Sequence, residues 1–256
     1  VLPYRVLNAA DYGVPQNRFR LFLMAYRNDQ AQPVYPVPQA SKITVAEAIG
    51  DLPDADCFKT LLDSDAVPAV WKTKTDYAKK LRGLMNDPGD FSYPRVFDCG
   101  MLTCSLRTVH TKESKARFID AYTGTTEPIS RFFKLSLSGQ CNTLRAGTDS
   151  ARGAFTSPRP IHPTLPRVIT VREAARLHSY PDWFRFHATK WHGFRQIGNS
   201  VPPLLGRAIA GKIIEALGID PSKPAVAITP GEGSLLNLNM RQAAEHFGVP
   251  ASVIGQ

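Results

Sequence analysis

Apolar residues recur at helical spacing in the last quarter of the chain, which predicts an amphipathic helix. They are Leu204, Leu205, Ala208, Ile209, Ile213, Ala216 and Leu217. Pro203 suits the first turn, where its missing N–H has no cost, and Gly218 marks the end. Just before them, Gly198, Asn199 and Ser200 predict a tight polar turn. One interpretation of this turn is a binding site for a carboxylate or phosphate at the positive N-terminal end of the helix. The alternative is a core helix with an Asn-Ser cap and no ligand.

Two runs near the start of the chain have strand patterns. Residues 4–7 alternate, and residues 21–26 are continuously apolar, which is typical of a strand buried on both faces. Arg18 and Arg20 stand two residues apart at the mouth of the second strand, so their side chains should point the same way. An arginine fork suits phosphate or the acceptor edge of a base. The alternative is a solvated strand entrance.

Two short helices have the same type of start. Thr44 with Glu47, and Thr170 with Glu173, form the capping-box pattern ahead of apolar residues, which predicts helices ending near Gly50 and near residue 178. Residues 114–122 predict a third short helix. Residues 239–250 predict a helix, a glycine turn and the start of another helix. That last pattern fits either the front of a helix-turn-helix or a plain helix pair.

The middle of the chain, residues 55–140, has a weak pattern broken by proline and glycine. Its many Lys and Arg residues alternate with aromatic residues, which suits a surface that grips a nucleic-acid backbone, although an ordinary basic surface remains the alternative. The whole chain carries 31 Lys and Arg against 22 Asp and Glu, a net charge of +9. This excess favours nucleic acid as a partner.

Length and cysteine content narrow the class of protein. The 256 residues allow one large or two small domains, and no run approaches a membrane span. Cys57, Cys99, Cys104 and Cys141 are too scattered for a disulfide scaffold or a zinc site, so we expect no metal and an intracellular, cytoplasmic protein. A nucleoid-associated location would follow for a bacterial or phage protein. Because Val1 already begins a strand-like run, we expect a longer polypeptide.

Three pieces of the sequence together resemble the C5-cytosine DNA methyltransferases. Residues 15–20, Pro-Gln-Asn-Arg-Phe-Arg, resemble the family's Gln-x-Arg-x-Arg motif. Residues 167–177, followed by Tyr-Pro-Asp at 180–182, resemble the next motif block. Residues 195–203, Arg-Gln-Ile-Gly-Asn-Ser-Val-Pro-Pro, resemble the last one. The resemblance covers residues 1 to about 217.

The resemblance implies an enzyme that flips a cytosine out of double-stranded DNA, as restriction-modification methyltransferases do. A cysteine thiolate attacks C6, and S-adenosyl-L-methionine gives a methyl group to C5. By resemblance, Arg20 would hydrogen-bond the O2 of the flipped cytosine. Arg18 would brace that pocket, and Gln16 would fix the loop.

The resemblance also implies cofactor and DNA contacts. Asn199, Ser200 and Val201 would line the pocket for the methionine end of S-adenosyl-L-methionine. Thr143 and Leu144 match a Thr-Leu pair of the family's target-recognition domain, so these two residues and Arg145 would lie near the DNA. Arg172 and Glu173 would be structural.

The chain lacks three motifs of the family pattern. The family's nucleophile follows a proline, and none of the four cysteines here does. The Phe-x-Gly-x-Gly cofactor loop and the Glu-Asn-Val segment are also missing. We therefore expect this chain alone to be inactive and to need an N-terminal half, in the same polypeptide or as a second subunit. The alternatives are a non-catalytic, sequence-specific DNA-binding protein derived from such an enzyme, and an RNA-directed enzyme.

The implied fold is α/β: the C-terminal part of a Rossmann-like methyltransferase sheet with an inserted, irregular, partly β target-recognition domain. Residues 1–27 would end the catalytic domain, and residues 28–165 would form the recognition domain. Residues 166–220 would return to the catalytic domain, and residues 221–256 would form a tail with some helix. Such an incomplete sheet should expose apolar surface unless its other half covers it.

Overall fold

The computed structural model describes residues 1–147 and 159–250. Within these ranges the helices are α1 Val45–Ile49, α2 Asp76–Leu81, α3 Lys112–Asp120, α4 Val171–Leu177, α5 Lys190–Asn199, α6 Pro203–Ala216 and α7 Met240–Phe247. The strands form two antiparallel pairs, β1 Arg5–Asn8 with β2 Phe19–Phe22, and β3 Val67–Pro68 with β4 Met101–Leu102. The described part is therefore mixed α/β, as expected. None of these helices is long and apolar enough to span a membrane.

The β1–β2 hairpin has one covered and one bare face. Val6 pairs with Leu21 and Asn8 pairs with Phe19, so alternate side chains share a face. The outer face carries five apolar side chains, each more than half exposed: Tyr4, Val6, Phe19, Leu21 and Leu23. The prediction of a strand buried on both faces over residues 21–26 is therefore wrong for this chain. The strand ends at Phe22, and the described residues cover only its inner face.

Helix α6 covers the inner face of the hairpin. Leu205 and Ile209 of this helix pack against Leu7 and Met24 in one buried cluster. Pro203 is the first helical residue, and the chain leaves the helix with Gly218 in the left-handed region at a φ of 65°. The predicted amphipathic helix is confirmed at both ends.

Both predicted capping boxes form. In each, the threonine hydroxyl accepts a hydrogen bond from the backbone N–H of the glutamate three residues on, and the glutamate carboxylate accepts one from the threonine N–H. Helices α1 and α4 then pack together in the largest core. The predicted third helix is also present, as α3.

The sequence pattern did not predict helix α5, and it did not predict the short helix α2 either. The expected tight turn at residues 198–200 is wrong, because Gly198 and Asn199 are the last residues of α5 and Ser200 follows as its cap. Two buried glycines obscured the apolar period. A Cβ on Gly193 would press on Val171, and a Cβ on Gly198 would overlap the backbone of Arg145. Glycine is therefore required for close packing at both positions.

Residues from two of the predicted domains share one buried cluster. Leu135 and Leu144 share one buried cluster with Val171 and Phe194, so residues of the segments 28–165 and 166–220 pack together. Much of residues 55–140 is irregular, as expected, with the short strands β3 and β4 and the helices α2 and α3. The division into recognition and catalytic parts stays a prediction.

The tail folds back on the middle of the chain. Val96 donates a backbone hydrogen bond to Ile228, and Ile228 donates one to Pro94. Helix α7 begins at a capping box on Asn239 and ends at Gly248 in the left-handed conformation. This is the helix and glycine turn predicted from the sequence. Residues 249–250, where the start of a second helix was predicted, are not helical, and residues 251–256 lie outside the described ranges.

Glu173 anchors α4 to a buried cation. Its carboxylate accepts two hydrogen bonds from Arg167, at 2.8 and 2.9 Å, and one from the Thr170 N–H. Although burial opposes its ionisation, Arg167 holds the pKa of Glu173 down at about 2. Because this folded-state pKa lies below the unfolded value of about 4.3, the carboxylate stabilises the fold above that value. The contribution is lost as the pH falls toward 2.

We therefore expect Glu173→Gln to lower the free energy of unfolding at pH 7 by about 3 kcal/mol, because Arg167 loses its buried counter-ion. The variant should also lose part of the acid dependence of stability between about pH 4.3 and pH 2. Urea titrations across this pH range measure both effects. An unchanged acid dependence would show that the pair does not carry this stability.

Candidate functional site

Arg18 is the centre of the site that the structure assembles. Its side chain is buried, and its guanidinium donates hydrogen bonds to the carbonyl oxygens of Leu144 at 2.8 Å, Gly198 at 2.7 Å and Ser200 at 3.1 Å. Gly198 and Ser200 lie at the C-terminal end of α5, where backbone carbonyls lack helical partners and a cation is favoured. One side chain thus joins the hairpin, the loop at 142–147 and the segment between α5 and α6.

Gln16 makes a second set of links between the same segments. Its Oε1 accepts a hydrogen bond from the Leu144 N–H at 3.2 Å, and its Nε2 donates to the Leu177 carbonyl at 3.2 Å. Its backbone also bridges to Cys141. The side chain is fully buried, so Gln16 holds the loop through hydrogen bonds and does not itself face solvent.

Arg20 differs from Arg18 in its surroundings. It is half-buried, and the hydrogen bond found for its guanidinium among the described residues goes to the neighbouring Phe19 carbonyl, at 2.7 Å. Burial and the nearby charge of Arg20 lower the pKa of Arg18 to about 10, so Arg18 remains a cation at neutral pH. The guanidinium of Arg18 is occupied by hydrogen bonds to backbone carbonyls, whereas that of Arg20 has N–H groups available for another acceptor.

The segment predicted to hold the cofactor exposes one polar side chain. Asn199 is exposed at the end of α5, while the Ser200 hydroxyl donates to the Ile197 carbonyl at 2.8 Å. Val201 is half exposed. The start of α6 has fewer free N–H groups than expected, because Pro202 and Pro203 have none and Leu204 donates its N–H to Ser179 Oγ. The start of α6 therefore offers fewer backbone donors to an anion than the sequence predicted. The side-chain amide of Asn199 is the exposed donor in this segment.

The three residues predicted to contact DNA have different positions. Thr143 donates its hydroxyl to the Asn17 carbonyl at 2.7 Å, next to the arginine motif. Leu144 is buried in the main core, so its side chain does not reach the surface, and its predicted place near the DNA stays untested. Arg145 is exposed. A DNA contact by Thr143 or Arg145 stays a prediction.

The four cysteines, none of which follows a proline, differ in their exposure. Cys104 and Cys141 are buried, and burial raises the pKa of the Cys141 thiol, which disfavours the reactive thiolate. Cys57 and Cys99 are exposed and free. Within the described ranges, no group of three His, Cys, Asp or Glu side chains could hold a metal ion.

Sequence reasoning missed the segment 177–179, which contacts the site from behind. The Leu177 carbonyl and His178 both contact Gln16, and Ser179 caps α6. Its only signal in the sequence is its place directly after a capped helix, because histidine and serine there do not form a recognisable motif. Tertiary contacts alone give these residues their roles.

Comparison with known proteins gives a consistent result. The profile of the family described as C-5 cytosine-specific DNA methylase matches residues 2–215. The type II methyltransferase M.XorII of Xanthomonas oryzae pv. oryzae is 59% identical over all 256 residues, which span 60% of its length. DNA (cytosine-5)-methyltransferase 4 of Arabidopsis thaliana is 26% identical over 84% of this chain and 17% of its own.

A solved structure agrees with these relatives. The crystal structure of a putative DNA modification methyltransferase encoded within an E. coli prophage has a TM-score of 0.62 and 31% identity. The match covers 85% of this chain and 60% of that one. The chain thus spans about 60% of the length of relatives such as M.XorII. With a family profile matching most of its residues, the chain belongs to the C-5 cytosine-specific DNA methylase family.

Proposed function

We propose that this chain is the C-terminal portion of a DNA (cytosine-5-)-methyltransferase. It supplies target recognition and part of the cytosine and S-adenosyl-L-methionine pockets, and a further segment supplies the cysteine nucleophile. The observation that carries this proposal is the buried Arg18, which ties the arginine motif, the loop at 142–147 and the segment at 198–200 into one unit. A protein that only bound DNA would not need these three segments to be held together.

Arg20 is the residue proposed to hold the flipped cytosine. Its guanidinium has donors to spare, and a cation beside the O2 of the base stabilises the negative charge that develops as a thiolate adds to C6. Arg18, the residue directly before β2, holds the loop at 142–147 and the segment at 198–200 through hydrogen bonds to their backbone carbonyls. The division of roles follows from burial: the buried arginine positions and the half-buried arginine binds.

The residues at 199–201 fit the amino-acid end of S-adenosyl-L-methionine. The Asn199 amide offers both donors and an acceptor for a carboxylate and an ammonium group, and Val201 offers an apolar contact. The cofactor, when bound, supplies an electrophilic methyl group. The chain's own part is to orient it from one wall, and the absent segment would close the pocket.

The bare face of the hairpin supports the same proposal. Five large apolar side chains on one face of a two-stranded sheet form a patch that a folded protein normally covers. We propose that the N-terminal half of the methyltransferase packs there, in the same polypeptide or as a second subunit. Below, "the complete methyltransferase" means this chain together with that half.

Double-stranded DNA is the proposed substrate. The net charge of +9 suits a phosphate backbone, and the exposed Arg145 lies beside the site. A non-catalytic DNA-binding protein is the competing function. If that function is correct, the protein binds DNA, and neither Asn199 nor Arg20 has a role in methyl transfer.

Methyl transfer from labelled S-adenosyl-L-methionine to duplex DNA tests the proposal. The chain alone should transfer none, and the complete methyltransferase should be active. Asn199→Ala should raise the Kd for the cofactor about tenfold, which is the loss of one hydrogen bond to a charged group. Asn86→Ala, at another exposed position, is the matched control and should leave this Kd unchanged. An inactive complete protein that binds DNA would support the competing function.

A further inference from the structure

His178 lies buried between the two motifs that the proposed function uses. Its Nδ1 is 3.0 Å from Nε2 of Gln16 in the arginine motif, and its Nε2 is 3.3 Å from the carbonyl oxygen of Ser200. The side chain has no measurable exposure to solvent. One imidazole ring therefore spans the gap between the loop that precedes the arginines and the segment that precedes α6.

The hydrogen bonds of Gln16 fix the protonation of this ring. Because Oε1 of Gln16 accepts from the Leu144 N–H, its amide nitrogen faces His178 and donates to Nδ1. The ring proton must then reside on Nε2, which donates to the Ser200 carbonyl. Burial, with the positive charges of Arg18 and Arg20, lowers the pKa of His178 to about 3, so the ring is neutral. Tyr180 stacks on it in parallel planes, at 6.0 Å between centroids.

The backbone conformation of Ser179, the next residue, allows His178 to contact Ser200. Ser179 has a φ of 64°, in the left-handed region that non-glycine residues rarely adopt. Its hydroxyl accepts a hydrogen bond from the Leu204 N–H in the first turn of α6. The backbone thus presents His178 to one end of the segment 200–204 and Ser179 to the other. Strain of this kind persists where the surroundings over-determine it, often at functional sites.

We propose that His178 is a positioning residue that sets the geometry of the cofactor segment relative to the arginine motif. Its Nε2–H and the guanidinium of Arg18 donate to the same Ser200 carbonyl, so two donors hold the backbone beside Asn199. His178 touches neither the proposed cofactor nor the proposed base and acts through Ser200 and Gln16. This inference rests on the proposed function, because it requires Asn199 to bind the cofactor.

Two substitutions separate the two ends of the ring. The amide of an asparagine stands near the position of Nδ1, so His178→Asn keeps a polar partner for Gln16 and removes the donor to Ser200. The amide of a glutamine reaches the position of Nε2, so His178→Gln keeps the donor to Ser200 and removes the partner of Gln16. Both variants keep a neutral, polar side chain of smaller or similar volume.

The complete methyltransferase carrying each substitution gives the decisive comparison. We expect His178→Asn to raise the Kd for S-adenosyl-L-methionine, measured by calorimetry, about tenfold, because the Ser200 carbonyl loses a donor. His178→Gln should keep this Kd within about threefold of the native value and lower kcat instead. His162→Asn is the matched control, since His162 is also buried and its Nδ1 accepts from the Thr164 and Leu165 N–H groups away from the site.

Nitrogen NMR of the imidazole gives a readout that does not depend on the cofactor. The native ring should show a proton on Nε2 alone and should not titrate between pH 8 and pH 5. A ring that titrates near pH 6.5, or carries its proton on Nδ1, would overturn the inference. Equal effects of His178→Asn, His178→Gln and His162→Asn on the cofactor Kd would also overturn it.

The two proposals fail in different ways. If Asn199→Ala leaves the cofactor Kd unchanged, the cofactor role of the segment 199–201 is wrong, and the proposed function fails with it. If Asn199→Ala weakens binding while His178→Asn does not, the proposed function stands and the positioning role of His178 is wrong.

Discussion

Arg20→Ala should lower methyl transfer by the complete methyltransferase by about two to three orders of magnitude, which is the usual loss when one donor to a developing negative charge is removed. The affinity for duplex DNA should fall by less than about tenfold, because phosphate contacts from many cations dominate that affinity. Arg20 is half-buried, and among the described residues its guanidinium donates to the Phe19 carbonyl, which leaves its other donors for the base. Single-turnover rates and DNA binding, measured at the same salt concentration, separate the two effects.

Two further variants test whether the effect is specific to this guanidinium. Arg20→Lys keeps the charge but not the planar fork, so most of the rate should remain lost. Arg27→Ala, at an exposed arginine paired with Asp29, should retain the native rate. Parallel losses of rate and DNA affinity in Arg20→Ala would assign Arg20 to general DNA binding and contradict its role at the cytosine.

Helix ends were the part of the fold best predicted from sequence. The capping boxes at Thr44 and Thr170 and the proline–glycine pair around α6 are local signals, and each acts through hydrogen bonds within one turn. These signals therefore do not depend on contacts with distant parts of the chain. The same locality explains the prediction of α7 from Asn239 and Gly248.

Elements defined by contacts between distant segments could not be predicted. Helix α5 has two glycines on its buried face because the backbone at Arg145 and the side chain of Val171 approach it closely, and nothing local to residues 190–199 carries that information. Leu144 matched a family motif, yet its side chain is buried in the main core. The apolar run at 21–26 predicted two covered faces, and the described chain supplies the cover for one.

Buried arginines connect these distant segments. Arg167, Arg172 and Arg176 are nearly inaccessible to solvent and pair with the carboxylates of Asp54, Glu173, Asp51 and Asp182. From sequence alone, an arginine is predicted to lie at the surface, because arginine is rarely buried without partners. The sequence could suggest that Arg172 and Glu173 were structural only through the family resemblance. Their partners in the structure, such as Thr103 for Arg172, give the physical reason.

Arg18→Met should have the largest effect on stability near the site. Methionine matches the length of the stem, but the carbonyls of Leu144, Gly198 and Ser200 would lose a charged donor inside the protein. We expect the free energy of unfolding to fall by about 3–5 kcal/mol, because hydrogen bonds to a charged group contribute about 1.5–3 kcal/mol each and part of the loss is recovered by relaxation. Urea unfolding of the complete methyltransferase measures this loss.

Arg167→Met distinguishes a role at the site from general destabilisation. Arg167 is equally buried and loses its pairs with Glu173 and Asp54, so the fall in stability should be similar. Under conditions where both variants are folded, Arg18→Met should raise the cofactor Kd and lower the methyl-transfer rate by more than tenfold. Arg167→Met should change neither by more than about threefold, because no hydrogen bond of Arg167 reaches the segment at 198–200. Equal losses of activity in the two variants would mean that Arg18 only stabilises the fold, and the proposed unit of three segments would lose its support.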